Sequence, residues 1–348
     1  MKPDWKQFLI DKGAEFEDAQ LLHFGNPERE RRIPPQGAIL CDLSHTGLIA
    51  ASGTDARDFL QSQLSNDIDQ VTDERAQISS YSSPKGRAYS TFQIMRRHGV
   101  YYLSLSSDIL EPVLKRLRMF VLRSKVALED AQDSLVHFGY ADPRGEQRLQ
   151  DALAGAAIPK NPLDVVQQDD LTIIRRPASV PRFEVFGELD AACQLWDKLN
   201  VHAAPVASGS WDYFEVEAGI PQITANSMEV WIPQMLNLQL IDGISFTKGC
   251  FPGQEIVARL KYLGKNKRQT YHVGIDSVTC PEVGTDIQDA DGKEAGKILN
   301  AALNPDGHVE ALAVMKIDSM DSELQLNGQA VTVLELPYSL DVDGADAH

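Results

Sequence analysis

The most regular hydrophobic pattern in the chain runs from Asp108 to Leu122, where Ile109, Leu110, Val113, Leu114, Leu117, Phe120 and Val121 recur at helical spacing. Such a stripe predicts an amphipathic helix with one buried face. Upstream, Ala38 to Asp42 and Gly47 to Ser52 read as short strands, and Gly53-Thr54-Asp55 starts a helix that turns Phe59, Leu60 and Leu64 inward. Ala76 to Tyr81, a strand through Met95 and a strand through Leu105 are separated by turns at Ser83-Pro-Lys-Gly-Arg87 and Arg97-His-Gly99, the pattern of a β-meander.

The mixture then repeats. Strands are predicted at Ser134 to Tyr140, Leu171 to Arg176 and Arg182 to Phe186, with helices near Glu146 to Ala154, at Leu189 to Leu199 and from Trp211 to the stop signals Gly219 and Pro221. Beyond Arg268 helical patterning ceases. Tyr271 to Ile275, Lys297 to Ala302, Glu310 to Ile317 and Val331 to Leu336 are short apolar runs divided by Gly, Asp and Asn, which suggests a small β-barrel. The chain thus reads as an α+β protein in four parts. Residues 1–35 form a helical leader closed by the polar Glu28–Arg32 run and Pro34-Pro35; 36–266 form the main α+β region, 267–338 the barrel and 339–348 an acidic, fraying tail.

Composition narrows the function classes. At 348 residues and 43% hydrophobic content there is chain enough for about two domains. No apolar run approaches the ~20 residues of a membrane helix. Cys41, Cys193, Cys250 and Cys280 are scattered without a CxxC pair, so neither a disulfide framework nor a cysteine-rich metal site is expected, and the reading is a cytoplasmic protein with free thiols. The net charge of −17 disfavours extended nucleic-acid binding. Eleven of those excess charges lie from Cys280 onward, with 14 acids against 3 bases. Residues 248–272, by contrast, hold Lys248, Arg259, Lys261, Lys265, Lys267 and Arg268 against Glu255 alone, an island suited to an anion or to a solvated helix face.

The stretch Lys248-Gly-Cys-Phe-Pro-Gly-Gln-Glu255 carries the strongest chemical signal. Its glycines permit unusual backbone shapes, Pro252 suits the first turn of a helix through Leu260, and Cys250 would sit before that helix with Lys248 nearby. Both neighbours favour a thiolate; the plain alternative is a small buried hydrophobe. The Ser83–Arg87 turn offers two cations to an anionic ligand or simply to water. Trp211 is either core or a flat wall for a heteroaromatic ligand.

These residues resemble the YgfZ family of folate-binding proteins, relatives of the glycine-cleavage T protein, an aminomethyltransferase. Besides the cysteine stretch, the resemblance rests on Glu217-Ala-Gly-Ile-Pro221, Ile232-Pro-Gln234, Asn237-Leu-Gln239, Gly243-Ile-Ser-Phe246, Pro84-Lys-Gly-Arg87 and Leu336-Pro-Tyr-Ser-Leu340. It implies a ring of two intertwined α+β lobes with a C-terminal β-barrel, and tetrahydrofolate or another reduced folate in the central opening. It also implies support of iron–sulfur cluster enzymes, including those that thiolate tRNA. By the same resemblance Trp211 and Glu184 contact the pterin, Cys250 is the functional thiol, and no cluster or other metal is held; the basic island predicts that Lys248 and Arg259, which flank the cysteine turn and its helix, serve an anion, either the glutamate tail of the folate or a patch on a partner. Three positions depart from the pattern: the Ser83–Arg87 turn lacks the T protein's aspartate, Glu215 stands where its pocket arginine is expected, and Thr46 replaces a family tryptophan. A folate-dependent aminomethyl or methyl transferase and a scaffold without a working folate site remain the alternatives at this stage.

Overall fold

The computed structural model describes residues 1–264 and 266–340. Two sheets and a barrel surround a central cavity. The first sheet has the spatial order Val165–Gln168, Leu171–Arg176, Arg182–Gly187, Val136–Ala141, Ala38–Asp42 and Ala203–Val206, antiparallel throughout except for its last pair. The second runs Gln77–Ser82, Ala88–Arg97, Val100–Ser106, Thr46–Ser52 and Ala127–Asp130. Ala38–Asp42 and Thr46–Ser52 are neighbours in sequence yet belong to different sheets. The chain therefore leaves the first sheet, builds the whole second sheet and returns at Val136, which interlocks the two lobes.

Burial follows position in the sheets. Val136–Ala141 and Arg182–Gly187 are buried at every residue because both faces are covered, whereas Val100–Ser106 alternates buried and half-buried positions. Against the second sheet lies the helix Leu110–Arg118, which buries Leu110, Val113, Leu114 and Leu117. Its pattern predicts continuation to Leu122, but the helix stops at Arg118 because the chain must reverse to lay Ala127–Asp130 beside Thr46–Ser52. Phe120, expected on the buried face, is exposed, as is Leu122 at the end of the expected helix.

The first 35 residues are knit into the first lobe. Trp5 and Leu9, on one face of the helix Pro3–Asp11, are buried, and Trp5 Nε1 donates to Asp42 Oδ1 at 2.7 Å. The charged run read as a linker is the helix Pro27–Arg32, capped by Asn26, whose Oδ1 accepts from the Arg29 N–H at 2.9 Å. Glu30 explains its fixed position: this buried carboxylate accepts from the backbone N–H groups of Phe24, Asn26 and Ala207.

The barrel closes where Arg268–Ile275 pairs on one side with Val309–Lys316 and on the other with Gln329–Leu334. Its outward Leu299, Ala302, Leu312 and Val314 join the core of the second lobe. Beyond the barrel, the Tyr338 hydroxyl donates to Gly219 O at 2.8 Å and strings Leu336–Leu340 back across the helix Gly209–Glu217. Gly219 has φ +66, and a Cβ there would stand 2.7 Å from Leu336 and Tyr338, so the motif position has both a conformational and a steric reason to be glycine. Residues 341–348 of the expected tail lie outside the described residues.

Candidate functional site

Where the two sheets and the barrel meet, a cavity of about 340 Å³ opens, the size expected of a small-molecule site. The second sheet contributes Thr46, Phe92 and Gln93 to its wall, the first sheet Arg176 and Glu184, the helix Gly209–Glu217 supplies Trp211 and Glu215, and the barrel closes it with Asn300. Two of the residues expected at a ligand, Trp211 and Glu184, are thus brought to one cavity from elements 27 positions apart.

Glu184 is buried, and strand pairing fixes its surroundings. One of its oxygens accepts from the Gln93 side-chain amide, the other lies 3.5 Å from Arg176 Nε, and the His137 Nε2 stands 3.9 Å away. Burial pushes the Glu184 carboxyl up, against the pull of Arg176. His137 stacks on Phe186 at 3.9 Å and meets Thr46 Oγ1 at 2.9 Å through Nδ1. Burial holds this imidazole well below its ordinary value, with His45 and Arg176 adding to the effect. Thr46 therefore fills a polar role beside the cavity.

Arg176 and Arg182 are direct cross-strand partners, an arrangement that is repulsive on its own. Glu215 resolves it, with Oε2 2.8 Å from Arg176 Nη2 and Oε1 2.9 Å from Arg182 Nη1. Burial acts to raise the Glu215 carboxyl, but the two guanidiniums outweigh it and hold its pKa down. Arg176 Nη1 and Gln93 Oε1 are buried without a hydrogen-bond partner, although Arg176 and Gln93 both line the cavity; Arg176 Nε has only the 3.5 Å ion pair with Glu184. Unpaired polar atoms at a cavity wall mark where a polar ligand would be received.

Trp211 is 3% exposed. A Cβ on Gly139 would lie 2.4, 2.6 and 2.7 Å from three consecutive atoms of its six-membered ring, so one face of the indole rests flat on the Gly139 backbone. The Arg182 guanidinium sits 4.9 Å from the ring centroid. Trp211 is consequently a wall held rigid from behind.

Lys248, Cys250 and Arg259 are not among the cavity's lining residues. The helix after the cysteine is Gln254–Leu263, entered through Gly253 at φ +82, so it begins four residues past Cys250. Cys250 is exposed. Lys248 turns its ammonium toward the end of the helix Ala56–Gln63, where Nζ donates to the carbonyls of Gln61, Leu64 and Asn66 at 2.7, 2.7 and 2.9 Å. Burial pushes its pKa down to about 8, against Asp67 and Asp69. This lysine anchors the cysteine loop to the second lobe through carbonyl oxygens. Arg259 lies exposed on the outer side of its helix, without a hydrogen bond or ion pair among the described residues.

Sequence reasoning did not find Gln93, Arg176, Arg182 or His137. Strand alternation held the signal for one of them: Arg182 and Glu184 are two apart on one strand and share a face. Gln93 and His137 come from strands whose pairing the local pattern does not fix.

A ring of two interlocked α+β lobes and a barrel around a polar, tryptophan-walled cavity is an aminomethyltransferase-like fold. The solved glycine cleavage system aminomethyltransferase T from Bartonella henselae matches at a TM-score of 0.76, covering 97% of each chain at 17% identity. Residues 267–337 match the family described as the CAF17 C-terminal beta-barrel domain. The chain is 33% identical over 312 residues to the tRNA-modifying protein YgfZ of Yersinia enterocolitica, covering 87% of this chain and 93% of the relative. It is 31% identical over 321 residues to that of Klebsiella pneumoniae, covering 90% and 96%. The chain belongs to the YgfZ family. None of its described helices is long and apolar enough to cross a membrane.

Proposed function

We propose that the protein is a cytoplasmic, tetrahydrofolate-binding accessory factor that supports iron–sulfur enzymes, among them enzymes that thiolate tRNA, with Cys250 as its functional thiol. The observation that carries this reading is the buried Glu184 carboxylate, braced by Gln93 on the wall of the central cavity beside Trp211. The residues present fit a reduced pterin. Glu184 would accept from its amino and ring N–H groups, the unpaired Gln93 Oε1 and Arg176 Nη1 supply a further acceptor and donor, and Trp211 offers an apolar wall. A bound reduced folate supplies a one-carbon carrier to the site.

The protein's own residues divide the work. The cavity groups select and orient the ligand, while the exposed Cys250, on a loop held by Lys248, meets a partner from outside. The Ser83–Arg87 turn, where a transferase would place its aspartate, has no carboxylate and is packed against Gly253, which supports the accessory reading over the transferase one. The names of the relatives point to tRNA modification in the same direction.

The test is replacement of the native protein in cells by variants, with thiolated tRNA nucleosides quantified by mass spectrometry. Glu184→Ala and Cys250→Ser, each expressed at wild-type level, should both lower thiolation to that of the deletion strain. Full thiolation with Glu184→Ala would remove the folate part of the proposal; full thiolation with Cys250→Ser would remove the thiol part.

A further inference from the structure

The segment following Leu110–Arg118 breaks the pattern that governs the rest of the surface. Met119, Phe120 and Leu122 are 58%, 45% and 87% exposed, three large apolar side chains within four residues at the tip of one turn, while Val121 between them packs on the core. Leu122 also has φ +44, a left-handed conformation that costs a leucine and that its solvent-facing side chain does not repay inside the molecule. From Pro112 to Leu128 there is no acidic residue, while Lys115, Arg116, Arg118, Arg123 and Lys125 all fall in that span. Arg116 lies over the Tyr89 ring and Arg118 donates to Leu128 O, which pins the base of the tip. Lys115 and Arg123 are exposed and have no ion pair among the described residues. A shallow groove beside the tip is lined by Asp55, Phe120, Leu122, Arg123 and Ser124. The one carboxylate in it, Asp55, already accepts from the Lys125 backbone N–H at 2.7 Å.

We propose that the Met119–Leu122 tip is a docking element for a folded protein whose surface offers an apolar pocket rimmed by carboxylates. The apolar side chains supply the buried anchor and the surrounding cations meet the acidic rim, the division found at energetically focused interfaces. Charge decides the class of partner. A protein of net charge −17 is repelled by extended anionic polymers and surfaces, and two of the three exposed apolar side chains of the tip, Met119 and Leu122, present no flat face for a nucleobase beside the single ring of Phe120. A compact acidic patch on another protein escapes both objections. This inference does not depend on what the central cavity binds.

The experiment replaces Phe120 by photoreactive p-benzoylphenylalanine in living cells, with the same replacement at Val201, 72% exposed on the other lobe, as control. Position 120 should give a protein adduct absent at position 201, mapped to an acidic stretch of the partner. The purified partner should then bind the wild-type chain and lose at least tenfold in affinity with Phe120→Asp. It should lose as much with the double variant Lys115→Glu/Arg123→Glu, which leaves the apolar tip intact, and should weaken in high salt. No adduct beyond the control, an adduct with nucleic acid, lipid or a second copy of this chain, or a partner that binds both variants unchanged would overturn the proposal.

Discussion

Gly86 and Gly253 meet with no room for a side chain between them: a Cβ on Gly253 would stand 2.7 Å from Gly86 Cα and 2.6 Å from Ser83 O. Both glycines have positive φ, +73 and +82. The contact joins the hairpin turn of the second sheet to the cysteine loop, two motifs 167 positions apart in sequence. Gly253→Ala should therefore cost about 2 kcal/mol, combining left-handed strain with a backbone clash. Gly249→Ala, with nothing within 4 Å of the added carbon, should stay within about 0.5 kcal/mol. Urea unfolding of the two variants measures the difference; equal stabilities would mean that the loop does not seat on the turn.

Glu215 bridges two arginines that face each other across the first sheet, so its removal leaves like charges buried side by side. We expect Glu215→Gln to lose about 3 kcal/mol of stability, the scale of breaking a buried ion pair. Combining it with Arg182→Met should recover part of that loss, a coupling that a double-mutant cycle reads directly. Additive effects would show that Glu215 does not serve the arginine pair.

The buried His137 gives the fold an acid-side sensitivity. Its folded-state pKa is held below the ordinary value near 6.5, so as pH falls through that value the unfolded chain takes up a proton that the folded chain refuses. Stability should drop by about 1 kcal/mol from pH 6.5 to 5.5 on this account. Glu184, whose carboxyl is raised by burial, acts oppositely, because its cost lies above its unfolded pKa and is relieved as pH falls. Comparing the pH slope of wild type with that of His137→Gln isolates the histidine. An unchanged slope in the variant would contradict the assignment.

The thiols should separate by environment. Burial raises Cys41 well above its ordinary value and Cys193 to about 11; Cys250 and Cys280 are both exposed, but partial burial of the Cys280 thiol raises its pKa. Iodoacetamide at pH 8, followed by peptide mass spectrometry, should label Cys250 first and Cys41 last. Labelling of Cys41 or Cys193 ahead of Cys250 would count against its role.

Much of the architecture is legible in the sequence because burial imposes regular periods. Strand Ala38–Asp42 and the barrel's Gly- and Asn-punctuated runs show this, and the sequence motifs bring Trp211 and Glu184 to attention. Four features depend on partners far along the chain and leave no local trace. Glu28–Arg32 looks like a solvated linker until Ala207 donates to Glu30. The helix at Leu110 looks four residues longer until the returning strand forces its end. Lys248 looks like a companion to the Cys250 thiol until the carbonyls of Gln61, Leu64 and Asn66 claim its ammonium. Glu215, which in sequence looks like a lost pocket arginine, is the counter-charge for two arginines that the pairing of Leu171–Arg176 with Arg182–Gly187 sets opposite each other.

The central claim is that the cavity beside Trp211 receives a reduced folate through Glu184. Isothermal titration of the full-length protein with tetrahydrofolate, under anaerobic conditions and repeated on Glu184→Ala and Arg259→Ala, tests it most directly. Saturable one-to-one binding to the wild type is expected, accompanied by a tryptophan fluorescence quench that Trp211→Phe removes. Loss of the Glu184 carboxylate should weaken binding at least tenfold, the scale of a lost charge-assisted hydrogen bond. Arg259→Ala, outside the cavity lining, should change it less than twofold. No heat at millimolar tetrahydrofolate, or equal affinity for wild type and Glu184→Ala, would contradict the account.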